Sequence, residues 1–111
     1  MIHQMKLAQG PFEKIAAGKK NIESRLYDEK RKQINVGDFI EFSQNEDLSR
    51  KVKMKVRGLY LYKTFDELFS DFAPENFGGE SKEGLLQEIH QFYSLDDENK
   101  FGVVGIRMEK E

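Results

Sequence analysis

The sequence predicts an α+β domain: a strongly curved mixed sheet, or small barrel, flanked by short helices. Three observations predict it. Val52, Met54 and Val56 alternate with Lys51, Lys53, Lys55 and Arg57, the clearest period-2 pattern in the chain. Several short segments instead space their apolar residues at i, i+3 and i+4, the stripe of a helix. The order of the two kinds of segment is β-α-β-β-β-α-α-β, that of an α+β domain. A chain of 111 residues is expected to form one unit over 1–111. At this size folding buries roughly 65% of the surface of the unfolded chain, enough for one core.

Residues 4–8 alternate weakly and suit a short strand. Gly10-Pro11 punctuates, and Pro11 suits the first turn of a helix over 11–17, where its missing N–H costs nothing. Phe12, Ile15 and Ala16 form its apolar stripe, and Gly18 suits its C-terminal cap. Residues 20–27 then alternate as a strand. Lys20, Ile22, Ser24 and Leu26 fall on one face; Asn21, Glu23, Arg25 and Tyr27 fall on the other. Asp28 to Lys32 is a charged connection, either folded over a cleft or facing solvent. Val36-Gly37-Asp38 turns into the strand Phe39-Ile40-Glu41-Phe42, and Asn45 to Arg50 is a polar hairpin loop. The basic strand runs on through Leu59 to Tyr62, past a bulge at Gly58. Thr64 and Glu67 have capping-box spacing before a helix over 65–71 expected to bury Phe65, Leu68 and Phe69, with Phe72 just beyond it as a further candidate. A Pro- and Gly-bearing loop, 73–80, follows. Ser81 caps a helix over 82–92 with Leu85, Leu86, Ile89 and Phe92 inward. Phe101, Val103, Val104 and Ile106 make the last strand, where Gly102 and Gly105 mark bulges or close backbone approach.

Composition narrows the function. Thirteen aromatics, nine of them Phe, are too many for a disordered chain. No cysteine is present, which excludes disulfide scaffolds, thiolate metal sites and cysteine nucleophiles. The two histidines, His3 and His90, lie far apart in sequence; no metal set is expected, and no cofactor. His90 reads as a surface or boundary residue. No apolar run approaches a membrane span and no signal-peptide core is evident, so a soluble, cytoplasmic protein is expected. The net charge of −2 hides a split. Residues 1–57 carry 13 Lys and Arg against 8 Asp and Glu; residues 58–111 carry 5 against 12. The first half can present a basic cleft to an anion. The acidic second half either keeps the rest soluble or serves a protein partner.

One segment stands out: Gly18-Lys19-Lys20-Asn21-Ile22-Glu23-Ser24-Arg25, or G-x-K-x-x-E-x-R, across a helix end and a strand start. Gly18 allows a sharp turn close to a ligand. Lys20 is a long point charge for a phosphate or a carboxylate. Glu23 can orient Lys20 or Arg25, or accept from an exocyclic amine of a base. Arg25 offers a planar fork to phosphate, carboxylate or base edge. The plainer alternative is a set of strand ion pairs worth from a few tenths to ~1 kcal/mol each.

That segment, with Pro11-Phe12 before it and the Val-Gly-Asp turn, the basic strand, the Thr64–Phe69 helix and the closing strand after it, resembles the ASCH domain, the activating-signal-cointegrator homology domain. The resemblance implies a small PUA-like β-barrel whose cleft lies beside the motif and takes RNA, a nucleotide or a modified nucleoside. It places Gly18, Lys20, Glu23 and Arg25 on that cleft. The basic strand with Lys51, Lys53, Lys55 and Arg57 is either a solvated or lysine-protected edge or a track for a nucleic-acid backbone. Of Tyr27, Tyr60 and Tyr62, the one favoured for base stacking is Tyr27, which shares the Glu23/Arg25 face. A bacterial subgroup of the family hydrolyses the amide of N4-acetylcytidine with a lysine, a threonine and a later glutamate. The lysine matches Lys20. The threonine position falls on Glu23 and the hydroxyl after the lysine becomes Asn21, so that nucleophile is lacking. The later glutamate matches Glu80 or Glu75. If the chain is an enzyme, the resemblance implies a hydrolase on a nucleoside-like amide. Glu23 or Glu80 would then be the general base with Lys20 on the oxyanion, or Lys20 itself the base. A recognition module is the first reading, the amidohydrolase the second, and an adaptor using the acidic half the third. A monomer is expected, a dimer being the alternative.

Overall fold

The structure, a computed structural model, describes residues 1–111. Five strands form one mixed sheet curved into a half-barrel: β1 (Ile2–Leu7), β2 (Ile22–Leu26), β3 (Phe39–Gln44), β4 (Lys51–Tyr62) and β5 (Val103–Lys110). Their order is β1-β3-β4-β5-β2. β1 runs parallel to β3, and every other pair is antiparallel. Four helices flank the sheet: α1 (Gln9–Ala16), α2 (Phe65–Asp71), α3 (Lys82–Ile89) and α4 (Leu95–Phe101). Short 3₁₀ turns span Arg31–Gln33 and Pro74–Phe77. No helix is long and apolar enough to cross a membrane.

Alternation along the strands divides the core in two. Met5, Leu7, Ile40, Phe42, Val52, Met54, Val56, Val104, Ile106 and Met108 fill the concave side, sealed by Phe12 and Ile15 of α1. On the other side Ile22, Leu26 and Val103 pack against Phe65, Leu68, Phe69, Phe77 and Leu85. Gly105 faces this second layer. A Cβ there would stand 2.8 Å from Leu68 Cδ1, so a larger residue would displace the Leu68 side chain of α2.

β1 and β2 are the two ends of the strand order, and they leave a seam where a closed barrel would pair them. The seam is the structural origin of the site described below.

Several boundaries differ from the sequence reading. β2 begins at Ile22, not at residue 20, which frees Lys20 from the strand's alternation. α1 starts at Gln9, and Pro11 still falls within its first turn. The bulge in β4 is present, with the register stepping between Val56 and Gly58. At α2, Glu67 N–H donates to Thr64 Oγ1 (3.1 Å), while the Glu67 carboxylate faces the Thr64 hydroxyl itself at 3.5 Å. α3 stops at Ile89, so Phe92 leaves the inward stripe and is 75% exposed. Phe101, expected in the last strand, ends α4 instead. That helix escapes hydrophobic periodicity because its buried residue is Glu98, not an apolar one. Its signal was the capping box, in which Ser94 Oγ accepts from Asp97 N–H and the Asp97 carboxylate from Ser94 N–H.

Candidate functional site at the seam

The site starts where α1 ends. Gly18 takes φ +77°, a left-handed conformation that reverses the chain. Lys20 N–H then donates to Lys14 O (3.1 Å) and Asn21 N–H to Asn76 O (3.0 Å), fixing the approach to β2. From that anchored stretch Lys20 reaches Glu23. Its Nζ lies 2.7 Å from Glu23 Oε1, and Arg25 Nε donates to Glu23 Oε2 at 2.7 Å. Strand alternation had assigned Lys20 and Glu23 to opposite faces; the later start of β2 brings them together.

Glu23 is 3% exposed. Burial alone would raise its pKa, but Lys20 and Arg25 outweigh burial and hold the carboxyl at about 2. Arg25 is likewise pulled down by burial and pushed up more strongly by Glu23 and by Tyr93, so its pKa is raised. The trio is a clamp of two basic side chains on one buried, ionised carboxylate.

The clamp forms part of the wall of a cavity of about 380 Å³ between β1, β2, α1 and α3. That is the size of a small-molecule pocket, which typically holds ~300–1,000 Å³. Phe77, Leu85 and Tyr93 supply apolar wall, and Lys6, Lys14 and Glu88 complete the charged rim. Four cations thus face two carboxylates. Tyr93 is held by stacking on Phe65, with centroids 5.8 Å apart and planes at 14°. Gly78 keeps the floor open. Its φ is +81°, and a Cβ there would meet Lys14 Cδ at 3.2 Å and Lys20 Cδ at 3.3 Å. Lys14 Nζ donates to Gly78 O at 2.6 Å.

The structure brings Lys20, Glu23 and Arg25 together in one cluster. Gly18 shapes the turn but does not reach the cavity wall. Tyr27 packs on the concave core with Lys32 Nζ 5.8 Å over its ring, away from the cavity. Lys53 and Lys55 are also elsewhere: both lie over the Phe39 ring, at 4.5 and 5.8 Å. Three cations of that strand are paired: Lys53 with Glu111 (3.5 Å), Lys51 with Glu41 (3.6 Å) and Arg57 with Glu109 (2.8 Å). Glu80 is exposed and off the wall, because the loop before α3 carries it outward; α3 contributes Glu88 instead. His90 Nε2 lies 3.0 Å from the buried Glu98 and away from the cavity. Sequence reasoning missed Tyr93, Phe77 and Gly78. Tyr93 and Phe77 belong to no motif, and only the fold sets them on the cavity wall with β2.

Chemically, this arrangement suits recognition better than proton transfer. A carboxylate held near pKa 2 is a weak base at neutral pH. Lys20 Nζ is engaged with the Glu23 carboxylate at 2.7 Å and holds it in place. What remains is a set of oriented charges beside an aromatic wall.

Comparison with known proteins places this architecture. A model of the ASCH domain matches residues 5–111. The crystal structure of hypothetical protein PH0355 is similar at 41% identity with a TM-score of 0.88, covering 100% of both chains. The solution structure of PF0455 from Pyrococcus furiosus is similar at 38% identity and a TM-score of 0.78, over 99% of this chain and 97% of that one. ZmASCH from Zymomonas mobilis shares the fold, with a TM-score of 0.72 at 13% identity over 98% of this chain and 68% of its own. A search among curated proteins finds no match. The family model spans nearly the whole chain, and the fold agrees with it: this chain belongs to the ASCH domain family.

Proposed function

We propose that the seam cavity binds RNA or a nucleotide by taking one nucleoside unit against the Lys20–Glu23–Arg25 clamp. The observation that carries this reading is the clamp itself: a buried, ionised carboxylate between two cations, facing an aromatic wall in a cavity of positive balance. Each Glu23 oxygen keeps a lone pair beyond its present bond and can accept from an amine of a base. Tyr93 offers a ring for stacking, worth ~1–3 kcal/mol per base. The surplus cations favour a phosphate-bearing ligand. Membership of the ASCH family supports the same reading.

The test is an NMR titration of the protein with the four ribonucleosides, their monophosphates, N4-acetylcytidine and short single-stranded RNA. Binding in this cavity shifts the signals of 18–25 and of Tyr93, and Arg25→Ala abolishes the response. Turnover of N4-acetylcytidine would replace recognition with hydrolysis. Silence from every ligand would overturn the reading and favour an adaptor acting through the acidic half.

A further inference from the structure

A second cavity, of about 370 Å³, lies farther along the same seam. It is bordered by Gln4, Met5, Lys6, Arg25, Lys30, Arg31 and Ser43. Its wall carries four cations and no carboxylate. The nearby carboxylates are already engaged: Asp28 Oδ2 accepts from Arg31 Nη1 at 2.9 Å, and Glu23 holds Arg25. Lys6 and Lys30 therefore stand as surplus charge. Arg31 is also incompletely satisfied, because its Nε is buried without a hydrogen-bond partner. Unspent donors around a cationic hollow are what an anion site provides.

Position decides which anion. Lys6 and Arg25 border both cavities, so the second opens directly beside the first. A nucleoside in the first cavity would carry its phosphate toward the second.

We propose that the cavity between Lys6, Arg25, Lys30 and Arg31 is a phosphate subsite, which makes the cleft read a nucleoside together with its phosphate. The proposal rests on the nucleoside reading above and extends it. It moves the backbone-binding role from Lys53 and Lys55 of β4 to the seam. The 3₁₀ turn Arg31–Gln33 gains a purpose, since Asp28 holds Arg31 in place both by its side chain and by accepting from Arg31 N–H at 3.1 Å.

Calorimetric titration of the intact protein with a ribonucleoside, its monophosphates and inorganic phosphate tests this, with NMR reporting the location. In the unmodified protein a monophosphate should bind about tenfold or more tightly than its nucleoside, as one added charge-assisted contact implies. Lys30→Gln, a change at an exposed residue, should cut that ratio at least threefold. Adding Arg31→Gln should bring it close to one, with nucleoside affinity retained. Equal binding of nucleoside and monophosphate would overturn the subsite and leave the nucleoside reading standing. If neither binds, the nucleoside reading fails, and inorganic phosphate decides the rest. Saturable shifts at Lys6, Lys30 and Arg31 would keep the anion site, and their absence would remove it. A ratio unmoved by Lys30→Gln and by the double variant would also overturn it.

Discussion

Arg25 Nη2, in β2, donates to the main-chain carbonyl of Lys6, in β1, at 3.3 Å. These two strands are the opposite ends of the sheet. A ladder of main-chain bonds would close the barrel there; a side chain bridges it instead. The bridge leaves a cleft on either side, and both cavities border Arg25. The same guanidinium holds Glu23 through Nε, so one residue spans the seam, fixes the buried carboxylate and faces both cavities.

Arg25→Ala should therefore lower stability as well as binding. It removes the bridge and leaves Glu23 buried with Lys20 alone. Breaking a buried pair costs about 3–5 kcal/mol, and the remaining lysine reduces this to about 2–3. Arg25→Lys should recover part of the stability by restoring charge. It cannot supply the fork that serves Glu23 and Lys6 at once. Urea denaturation of the two variants checks the order, and a Lys variant as stable as the parent would refute the bridge.

Acid should weaken the fold through Glu23. Its folded pKa of about 2 lies below the ordinary 4.5, so the folded state favours the ionised form. The stabilisation is fully present above about pH 4.5 and is lost as pH falls through about 2, and it is worth about 3 kcal/mol in all. Glu23→Gln should lower stability at pH 7 and flatten the profile between those limits. Stability measured from pH 6 to 2 for both proteins tests it. Parallel profiles would show that other carboxylates carry the acid response.

The fold was largely legible because its strands alternate and its helices carry apolar stripes. The clamp was legible because Lys20, Glu23 and Arg25 lie within six residues of one another. What escaped was non-local. The seam arises from strand order, which no local pattern encodes, so Tyr93 and Phe77 could not be assigned to it. The pairing of the β4 cations was hidden for the same reason. Their spacing shows four cations along one strand, but Glu41, Glu109 and Glu111, which neutralise three of them, come from elsewhere in the chain. α4 escaped because it buries a charge.

Neutralising the β4 lysines should leave binding almost intact. Lys53 and Lys55 sit over Phe39, outside both cavities. Lys53→Gln with Lys55→Gln should change RNA affinity less than about twofold and the salt slope by much less than the ~0.7 expected per lost phosphate contact on a single strand. A tenfold loss would restore that strand as the backbone track.

The buried Glu98 should support the cavity from behind. One of its oxygens accepts from Phe65 N–H at 2.7 Å, at the start of α2, and the other lies 3.0 Å from His90 Nε2. Phe65 in turn carries the stacked ring of Tyr93. Glu98→Ala would leave the Phe65 N–H buried and unpaired, which costs about 1–3 kcal/mol. It would also loosen the platform under Tyr93. Glu98→Gln keeps an acceptor of the same size and should lose less. Melting curves measure the first effect, and the NMR line width of the Tyr93 ring with nucleoside affinity measures the second. Loss of stability with an unchanged Tyr93 ring and unchanged affinity would confine Glu98 to the fold; loss of both would extend the site to α4.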